Sequence, residues 1–262
     1  MISFEEAHSL VMKNTMYFGS EEIPLETSLG RILQESWHAD RDMPPYDRIT
    51  MDGIAVQYDS VASLHDELAI EDIAAAGDPI KKLKHARNCM EVMTGAILPE
   101  DTDTVIRYED LTIRNGSVKI NTEYKKGQNI HRKGEDRKKG ELLLGPGALL
   151  AAPEIGVGAS IGKSTVRVSK FPKVMIISTG DELVEINKMP LAHQIRKSNV
   201  YRLASSLKSR GISPAMAHLN DNLEEITEAL KGMIAEFDVI LVSGGVSKGK
   251  FDFIPEALES LG

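Results

Sequence analysis

Cysteine and aromatic residues are scarce in this sequence and a net positive charge is lacking, and each of these features excludes a class of protein. The single cysteine, Cys89, rules out an internal disulfide and fits a reducing compartment. Aromatic residues make up 5% of the 262 residues and the formal net charge is -8, so we expect no nucleic-acid partner. The seven histidines form no HxxxH pair and there is no CxxC, which argues against a zinc site.

Long apolar stretches are missing as well. No segment approaches the roughly 20 apolar residues that a membrane-spanning helix needs. Glu5 and Glu6 interrupt the N-terminus, where a signal peptide would continue into an apolar core. We therefore expect a cytoplasmic protein with no membrane partner, and we interpret Cys89 as a small buried strand residue rather than a nucleophile.

The N-terminal region carries two helix signals. Ser3 and Glu6 have the spacing of a capping box, which predicts a helix that ends near Asn14. A second short helix is predicted to begin at Ser28 and to include Leu33.

Residues 51–127 have the pattern of short strands separated by turns. The clearest unit is 111–120, where alternating apolar residues flank Asn115-Gly116 and predict a β-hairpin. We predict that 51–127 is a small β domain inserted into the chain. The basic stretch 125–140 is interpreted as a solvated connector.

From residue 171 onward strands and helices alternate. The predicted strands are 174–178, 215–219 and 239–243, and the predicted helices are 198–210, 223–236 and 253–261. Such alternation implies βαβ units and a mostly parallel sheet, so 171–262 is predicted to be an α/β domain. Because the pattern stops where another strand is expected, we interpret this domain as incomplete at its C-terminus.

Two polar segments follow all-apolar strands of this domain: STGDE at 178–182 and SGGVSKG at 243–249. Open α/β sheets bind ligands at the carboxyl ends of such strands. The glycine-rich segment offers backbone N–H groups and hydroxyls to an oxyanion, and the adjacent carboxylates of Asp181 and Glu182 suit a divalent cation. The segment is neither a Walker A motif nor GxGxxG, so phosphate binding and a plain tight turn both stay open.

Five acidic residues lie beside glycines or at strand ends and are candidates for catalysis: Asp52, Asp136, Glu182, Asp221 and Asp252. Each also has an ordinary explanation as a turn or capping residue. Asp221 is the weakest candidate, since an N-cap role before the 223–236 helix would explain it. The Asp181-Glu182 pair is the strongest, because adjacent carboxylates at the end of a buried strand repel each other unless a cation or ligand lies between them.

Seven segments together resemble the molybdopterin molybdenumtransferase family, which includes the E domain of gephyrin. They follow the family order along nearly the whole chain. The segments are PPYD at 44–47, MDGIAV at 51–56, TGAILP at 94–99, GED at 134–136, STGDEL at 178–183, QIRKSN at 194–199, and SGGVSKG at 243–249 with DF at 252–253.

The resemblance implies insertion of molybdate into adenylylated molybdopterin with release of AMP, assisted by a divalent cation, usually Mg²⁺. It implies an elongated N-terminal helical and β domain whose two parts are 1–50 and 128–170, on either side of the inserted β domain. It also implies a cytosolic homodimer whose site is shared between subunits, with other molybdenum cofactor biosynthesis proteins as partners. The residues that it assigns to catalysis are Asp52, Asp136, Glu182, Asp221 and Asp252, and those assigned to the metal are Asp181, Glu182 and Asp252. The residues assigned to ligand binding are Thr94, Thr179, Gly180, Asp181, Ser198, Asn199, Ser243, Gly244, Gly245, Val246, Ser247 and Gly249.

Three positions depart from the family pattern: Ile54, Lys197 and Lys248. Many members have an acidic residue where Lys197 stands, so the charge near the ligand is reversed there. Members also continue past residue 262 and add a C-terminal β domain, so we expect weak or absent activity from this chain. Three alternatives stay open: a molybdopterin-binding module without turnover, an interaction scaffold, and a hydrolase of nucleotides or pterin nucleotides.

Overall fold

A computed structural model describes residues 2–61, 67–245 and 252–262 of the chain. The helices within these residues are α1 (Phe4–Lys13), α2 (Tyr58–Val61), α3 (Ala152–Ser160), α4 (Asn199–Lys208), α5 (Leu223–Glu236) and α6 (Ile254–Leu261). The strands are β1 (Ser20–Pro24), β2 (Trp37–His38), β3 (Arg48–Ile49), β4 (Gly53–Val56), β5 (Leu68–Ala74), β6 (Cys89–Val92), β7 (Thr104–Arg107), β8 (Leu111–Arg114), β9 (Ser117–Ile120), β10 (Ile130–His131), β11 (Leu142–Leu144), β12 (Thr165–Ser169), β13 (Val174–Thr179), β14 (Leu183–Val184), β15 (Ile195–Arg196), β16 (Ala215–Leu219) and β17 (Val239–Ser243).

The chain divides into two compact units. The first unit consists of Met1–Glu35, Pro146–Ala159 and Lys163–Gly262, and the second consists of Ser36–Gly145 and Ser160–Gly162. The domain limits expected from the sequence, at 50, 127 and 170, stay a prediction. None of the helices in the described part of the chain is long and apolar enough to cross a membrane.

The second unit contains a six-stranded sheet of order β7-β4-β6-β5-β9-β8. Its strands are antiparallel except for the pair β5 and β6. Apolar side chains from the sheet form two buried clusters, one that includes Met90 and one that includes Ile54. Cys89 is fully buried in β6, and its burial raises the pKa of the thiol to about 12, which confirms its interpretation as a structural residue.

The predicted hairpin around Asn115-Gly116 is confirmed. Arg114 pairs with Ser117, and both turn residues have positive φ, 49° for Asn115 and 79° for Gly116. A two-residue turn with positive φ at both positions matches the right-handed twist of the flanking strands.

The predicted helix from Ser28 through Leu33 is wrong. A short 3-10 turn, Leu25–Thr27, comes earlier, and Leu33 then forms a bridge with Val168 in extended conformation. The Leu33 side chain is completely buried. Pairing with a strand that lies far along the chain therefore overrides the local helical pattern. The preceding helix prediction is confirmed, since α1 begins after a complete capping box at Ser3.

The first unit contains a parallel three-stranded sheet of order β16-β13-β17. Every residue of β13 is buried. Met175 and Ile177 pack with residues of α5 and α6, while Ile176 on the opposite face packs with Val200 and Ala204 of α4. This coverage of both faces explains the all-apolar sequence of the strand, and it confirms the predicted α/β architecture.

Candidate functional site

A pocket of about 180 Å³ lies in the first unit, at the carboxyl ends of β13 and β17. Six of the residues that line it are among those predicted from the sequence: Thr179, Glu182, Ser198, Asn199, Ser243 and Gly244. They come from three separate segments of the chain. The pocket therefore gathers hydroxyl, amide and backbone groups, together with one carboxylate, at the edge of the sheet where open α/β sheets bind ligands.

The glycines at these strand ends allow a close approach between the two loops. A Cβ atom on Gly245 would lie 2.7 Å from Oγ1 of Thr179, and one on Gly244 would lie 3.0 Å from the same atom. Both glycines also have positive φ, 64° and 107°. A Cβ on Gly180 would lie 2.8 Å from Cδ of Glu182, because that carboxylate folds back over the glycine backbone. Any side chain at these three positions would displace the groups that form the pocket.

A cluster of carboxylates extends from the pocket toward the end of β16. The backbone N–H of Asp221 donates to Oδ1 of Asp181 over 3.1 Å. Burial raises the pKa of Asp221, and the charges of Asp181, Glu182 and Asp252 raise it further. Asp252 thus lies near enough to affect this group.

The helix-capping explanation of Asp221 is wrong. The N-cap of α5 is Asn222, whose side chain accepts a hydrogen bond from the backbone N–H of Glu225 over 3.0 Å. Asp221 stands one residue before this cap. Its carboxylate is therefore not committed to the helix.

The ligand chemistry of these carboxylates fits Mg²⁺, although no group of three or more His, Cys, Asp or Glu among the described residues is arranged to hold a metal ion. Magnesium prefers oxygen ligands and is often bound by only one or two protein carboxylates, with water and substrate phosphates as its other ligands. Asp181 and Glu182 can supply that number of carboxylates. A ligand-borne phosphate would have to complete such a site.

Lys197 also lines the pocket and is only 9% exposed. Its Nζ donates to Oε1 of Glu185 over 2.6 Å, and this hydrogen bond lowers the pKa of Glu185. Burial and the nearby Lys197 charge lower the pKa of His218, whose Nδ1 lies 3.0 Å from Oγ of Ser178. The histidine next to this pocket wall is therefore neutral at pH 7.

Neither Glu185 nor His218 was predicted from the sequence. Glu185 follows β14 and Lys197 follows β15, and these two strands pair in parallel. The two strands have only two residues each, too few for a period-2 pattern to be recognised.

In the second unit, the predicted residues Asp52 and Thr94 lie together. The backbone N–H of Thr94 donates to Oδ1 of Asp52 over 2.6 Å, which lowers the pKa of that carboxyl. Asp52 directly precedes β4, and Thr94 lies two residues after β6. Their proximity results from the pairing of β4 with β6.

Asp136, also in the second unit, belongs to a hydrogen-bonded chain of three residues. Its Oδ1 lies 3.0 Å from Nε2 of His131, and Nδ1 of His131 lies 3.0 Å from a guanidinium nitrogen of Arg48. A guanidinium can only donate, so Nδ1 must be the acceptor and Nε2–H must donate to Asp136. Arg48 thus fixes the tautomer of the histidine that orients Asp136.

The remaining ligand-binding predictions, Val246, Ser247 and Gly249, lie outside the described residues, as does Lys248.

Residues 2–162 match the family model "MoeA N-terminal region (domain I and II)", and residues 175–262 match "Probable molybdopterin binding domain". A curated Synechocystis protein named molybdopterin molybdenumtransferase is 40% identical over 265 residues, which cover 100% of this chain and 68% of the relative. A Staphylococcus epidermidis protein of the same name is 32% identical, with coverage of 99% and 63%.

Among solved structures, the molybdopterin biosynthesis MoeA protein of Pyrococcus horikoshii OT3 superimposes with a TM-score of 0.83 at 27% identity. The match covers 93% of this chain and 66% of that one. The chain thus spans about two thirds of the length of the proteins that it matches.

Proposed function

This chain belongs to the MoeA family of molybdopterin molybdenumtransferases, and from that premise we propose that it binds adenylylated molybdopterin and inserts molybdate into the dithiolene, with release of AMP. The observation that carries the proposal is the pocket at the ends of β13 and β17. It contains hydrogen-bond donors that can bind an oxyanion and a carboxylate that can bind a metal ion. Cleavage of a phosphoanhydride requires both kinds of group.

The phosphate part of the ligand is matched by neutral hydrogen-bond donors. Thr179, Ser198 and Ser243 bring hydroxyl groups to the pocket. Ser198 precedes α4 without capping it through its side chain, so its hydroxyl is not engaged with the helix end. Because Ser198 and Asn199 both line the pocket, the N-terminus of α4 adjoins the ligand, and its unpaired N–H groups favour an anion. Molybdate, the second substrate, is a tetrahedral oxyanion that the same kinds of donor can hold.

The carboxylates contribute to the reaction itself. Asp181 and Glu182 would hold Mg²⁺, which when bound neutralises charge on the phosphates. Glu182 is the one of this pair that lines the pocket, so we assign it to turnover rather than to pterin binding. Asp221 and Asp252 add two further carboxylates beside this pair, and we assign both to catalysis. We also assign Asp52 and Asp136 to catalysis, as expected from the sequence.

A homodimer is part of the proposal, and the exposed apolar residues of α1 support it. Phe4 is 79% exposed and Val11 is 67% exposed, and no residue of this ten-residue helix is buried. Amphipathic helices gain most of their stability from packing on another surface, and a second copy of the chain would supply one. Sharing of the site between subunits, a cytoplasmic location and other biosynthesis proteins as partners stay predictions.

The direct test is release of AMP from adenylylated molybdopterin, measured with and without molybdate and with and without Mg²⁺. Release that needs both additions supports the enzyme. Pterin binding without release would restrict the chain to molybdopterin binding, and absence of both would overturn the proposal. The Glu182→Gln variant should lose release and keep pterin binding, whereas loss of both would assign Glu182 to structure.

A further inference from the structure

Lys197 lines the pocket, and the proposed function does not yet use the charge of this residue. We propose that the ammonium group of Lys197 binds a phosphate group of the ligand and that Glu185 holds this ammonium in position. The inference rests on the proposed function for the identity of the ligand, but the chemistry that it names, a phosphate monoester or pyrophosphate, follows from the pocket itself.

Stability does not explain this lysine. Lysine is almost never fully buried unless it is paired, because removing an ammonium from water costs several kcal/mol. Lys197 has such a partner, but the Glu185 side chain is 52% exposed. An ion pair with one member in water contributes little to the stability of the fold, less than the burial of the ammonium costs.

Hydrogen-bonding capacity points to a ligand. An ammonium has three N–H donors. Within the described residues, Nζ of Lys197 makes one hydrogen bond, to Glu185. Two donors are therefore left for acceptors on a bound molecule, and oxyanions make the strongest such bonds.

The fold places Lys197 and its partner Glu185 side by side before any ligand arrives, and the Nζ hydrogen bond to Glu185 holds the ammonium. The backbone N–H of Lys197 donates to the carbonyl of Val184 over 3.0 Å, which continues the pairing of β14 with β15. The same register brings Glu185 beside the lysine. A charge fixed in advance loses little side-chain entropy on binding, which favours affinity.

The charge also acts on the pocket wall. Lys197 is the largest electrostatic cause, after burial, of the lowered pKa of His218, and His218 contacts Ser178 of the lining. Lys197 and Glu182 line the same pocket and carry opposite charges, so the pocket offers an anionic ligand a positive group as well as a carboxylate.

Calorimetric titration with inorganic pyrophosphate tests the inference on the wild-type chain and three variants. Lys197→Met should bind pyrophosphate about ten- to a hundredfold more weakly, the range for one lost charged hydrogen bond. Glu185→Gln keeps a side-chain oxygen that can accept the Nζ hydrogen bond and removes the negative charge beside the ammonium, so it should bind at least as tightly as wild type. Lys208→Met removes the same charge from the exposed C-terminal end of α4 and should bind as wild type does.

The Glu185→Gln result separates binding from structure, even if Lys197→Met fails to fold in a thermal melt. If Lys197 serves only as a partner for Glu185, both variants should lose affinity together, and that result would overturn the inference. Absence of pyrophosphate binding to wild type, or equal binding to Lys197→Met, would overturn it as well. The assay needs no molybdenum chemistry, so a failed AMP-release experiment would leave its outcome unaffected.

Discussion

The backbone N–H of Thr94 donates to Oδ1 of Asp52 over 2.6 Å, although the two residues are 42 positions apart in the chain. The bond stabilises the ionised form of the carboxyl, so the pKa of Asp52 lies below its ordinary value. Asp52 and Thr94, which belong to two separate sequence motifs, are thus joined by a hydrogen bond in the folded protein. Asp52 remains a carboxylate throughout the neutral and mildly acidic range.

The ionised carboxylate of Asp52 should stabilise the folded protein in a pH-dependent way. Because the pKa of Asp52 is lowered on folding, its stabilising contribution is complete above the ordinary aspartate pKa of about 3.9 and is lost as the pH falls through the folded value. We expect the melting temperature of wild type to exceed that of Asp52→Asn at pH 7, and the difference to shrink toward about pH 3. A difference that does not change with pH would contradict this assignment.

The opposite sign is expected at Asp221, whose pKa is raised by burial and by neighbouring carboxylates. A raised carboxyl pKa destabilises the folded state above that pKa, and the penalty disappears as the pH falls below about 4. Asp221→Asn should therefore melt about 1–2 °C higher than wild type at pH 7 and equally at low pH. A lower melting temperature at pH 7 would show that the carboxylate stabilises the fold instead.

Strands β4 and β7 approach each other closely at Gly53, the residue that follows Asp52. A Cβ at this position would lie 2.7 Å from Cα of Arg107, in the backbone of the paired strand β7. Gly53→Ala should lower the free energy of unfolding by about 3 kcal/mol, measured by urea denaturation.

The matched control is Gly232→Ala, since Gly232 lies inside α5 with no atom within 4 Å of a built Cβ. It should raise the free energy of unfolding by about 0.5–1 kcal/mol, because alanine favours a helix over glycine. Similar effects of the two substitutions would refute the close-approach explanation.

The Arg48–His131–Asp136 chain makes a spectroscopic prediction. Nitrogen-15 chemical shifts of the neutral imidazole should show His131 as the Nε2–H tautomer. Arg48→Met removes the donor at Nδ1, so the Nδ1–H tautomer should become populated. Detection of the Nδ1–H form in wild type would contradict the assigned hydrogen bonds.

Local patterns predicted much of the fold. The α5 helix occupies Leu223–Glu236, as its amphipathic spacing indicates, and β17 occupies Val239–Ser243. Both elements are long enough that the spacing of their apolar residues and the residue types at their ends indicate the same limits. The helix predicted from residue 28 through residue 33 does not form, because residues of this segment pair with residues more than 100 positions away in the chain. A prediction from neighbouring residues cannot include such partners.

Residues of the site could be predicted only where they lie in segments that resemble family motifs. Thr179, Ser198 and Ser243 lie in such motifs, and the fold brings them to one pocket. The pairing of Lys197 with Glu185 depends on the register of two two-residue strands. Sequence spacing carries no signal for such a register, so the charge balance of the pocket emerged only from the structure.

The central claim is that the pocket at the ends of β13 and β17 holds the pterin ligand, and a fluorescence titration with molybdopterin tests it most directly. Gly244→Ala would place a Cβ 3.0 Å from Oγ1 of Thr179 in the pocket, whereas Gly147→Ala adds one at a similar positive φ with nothing within 4 Å. We expect wild type and Gly147→Ala to bind one molybdopterin per chain, and Gly244→Ala to bind at least about tenfold more weakly. Absence of saturable binding, or equal affinity in all three proteins, would contradict the claim.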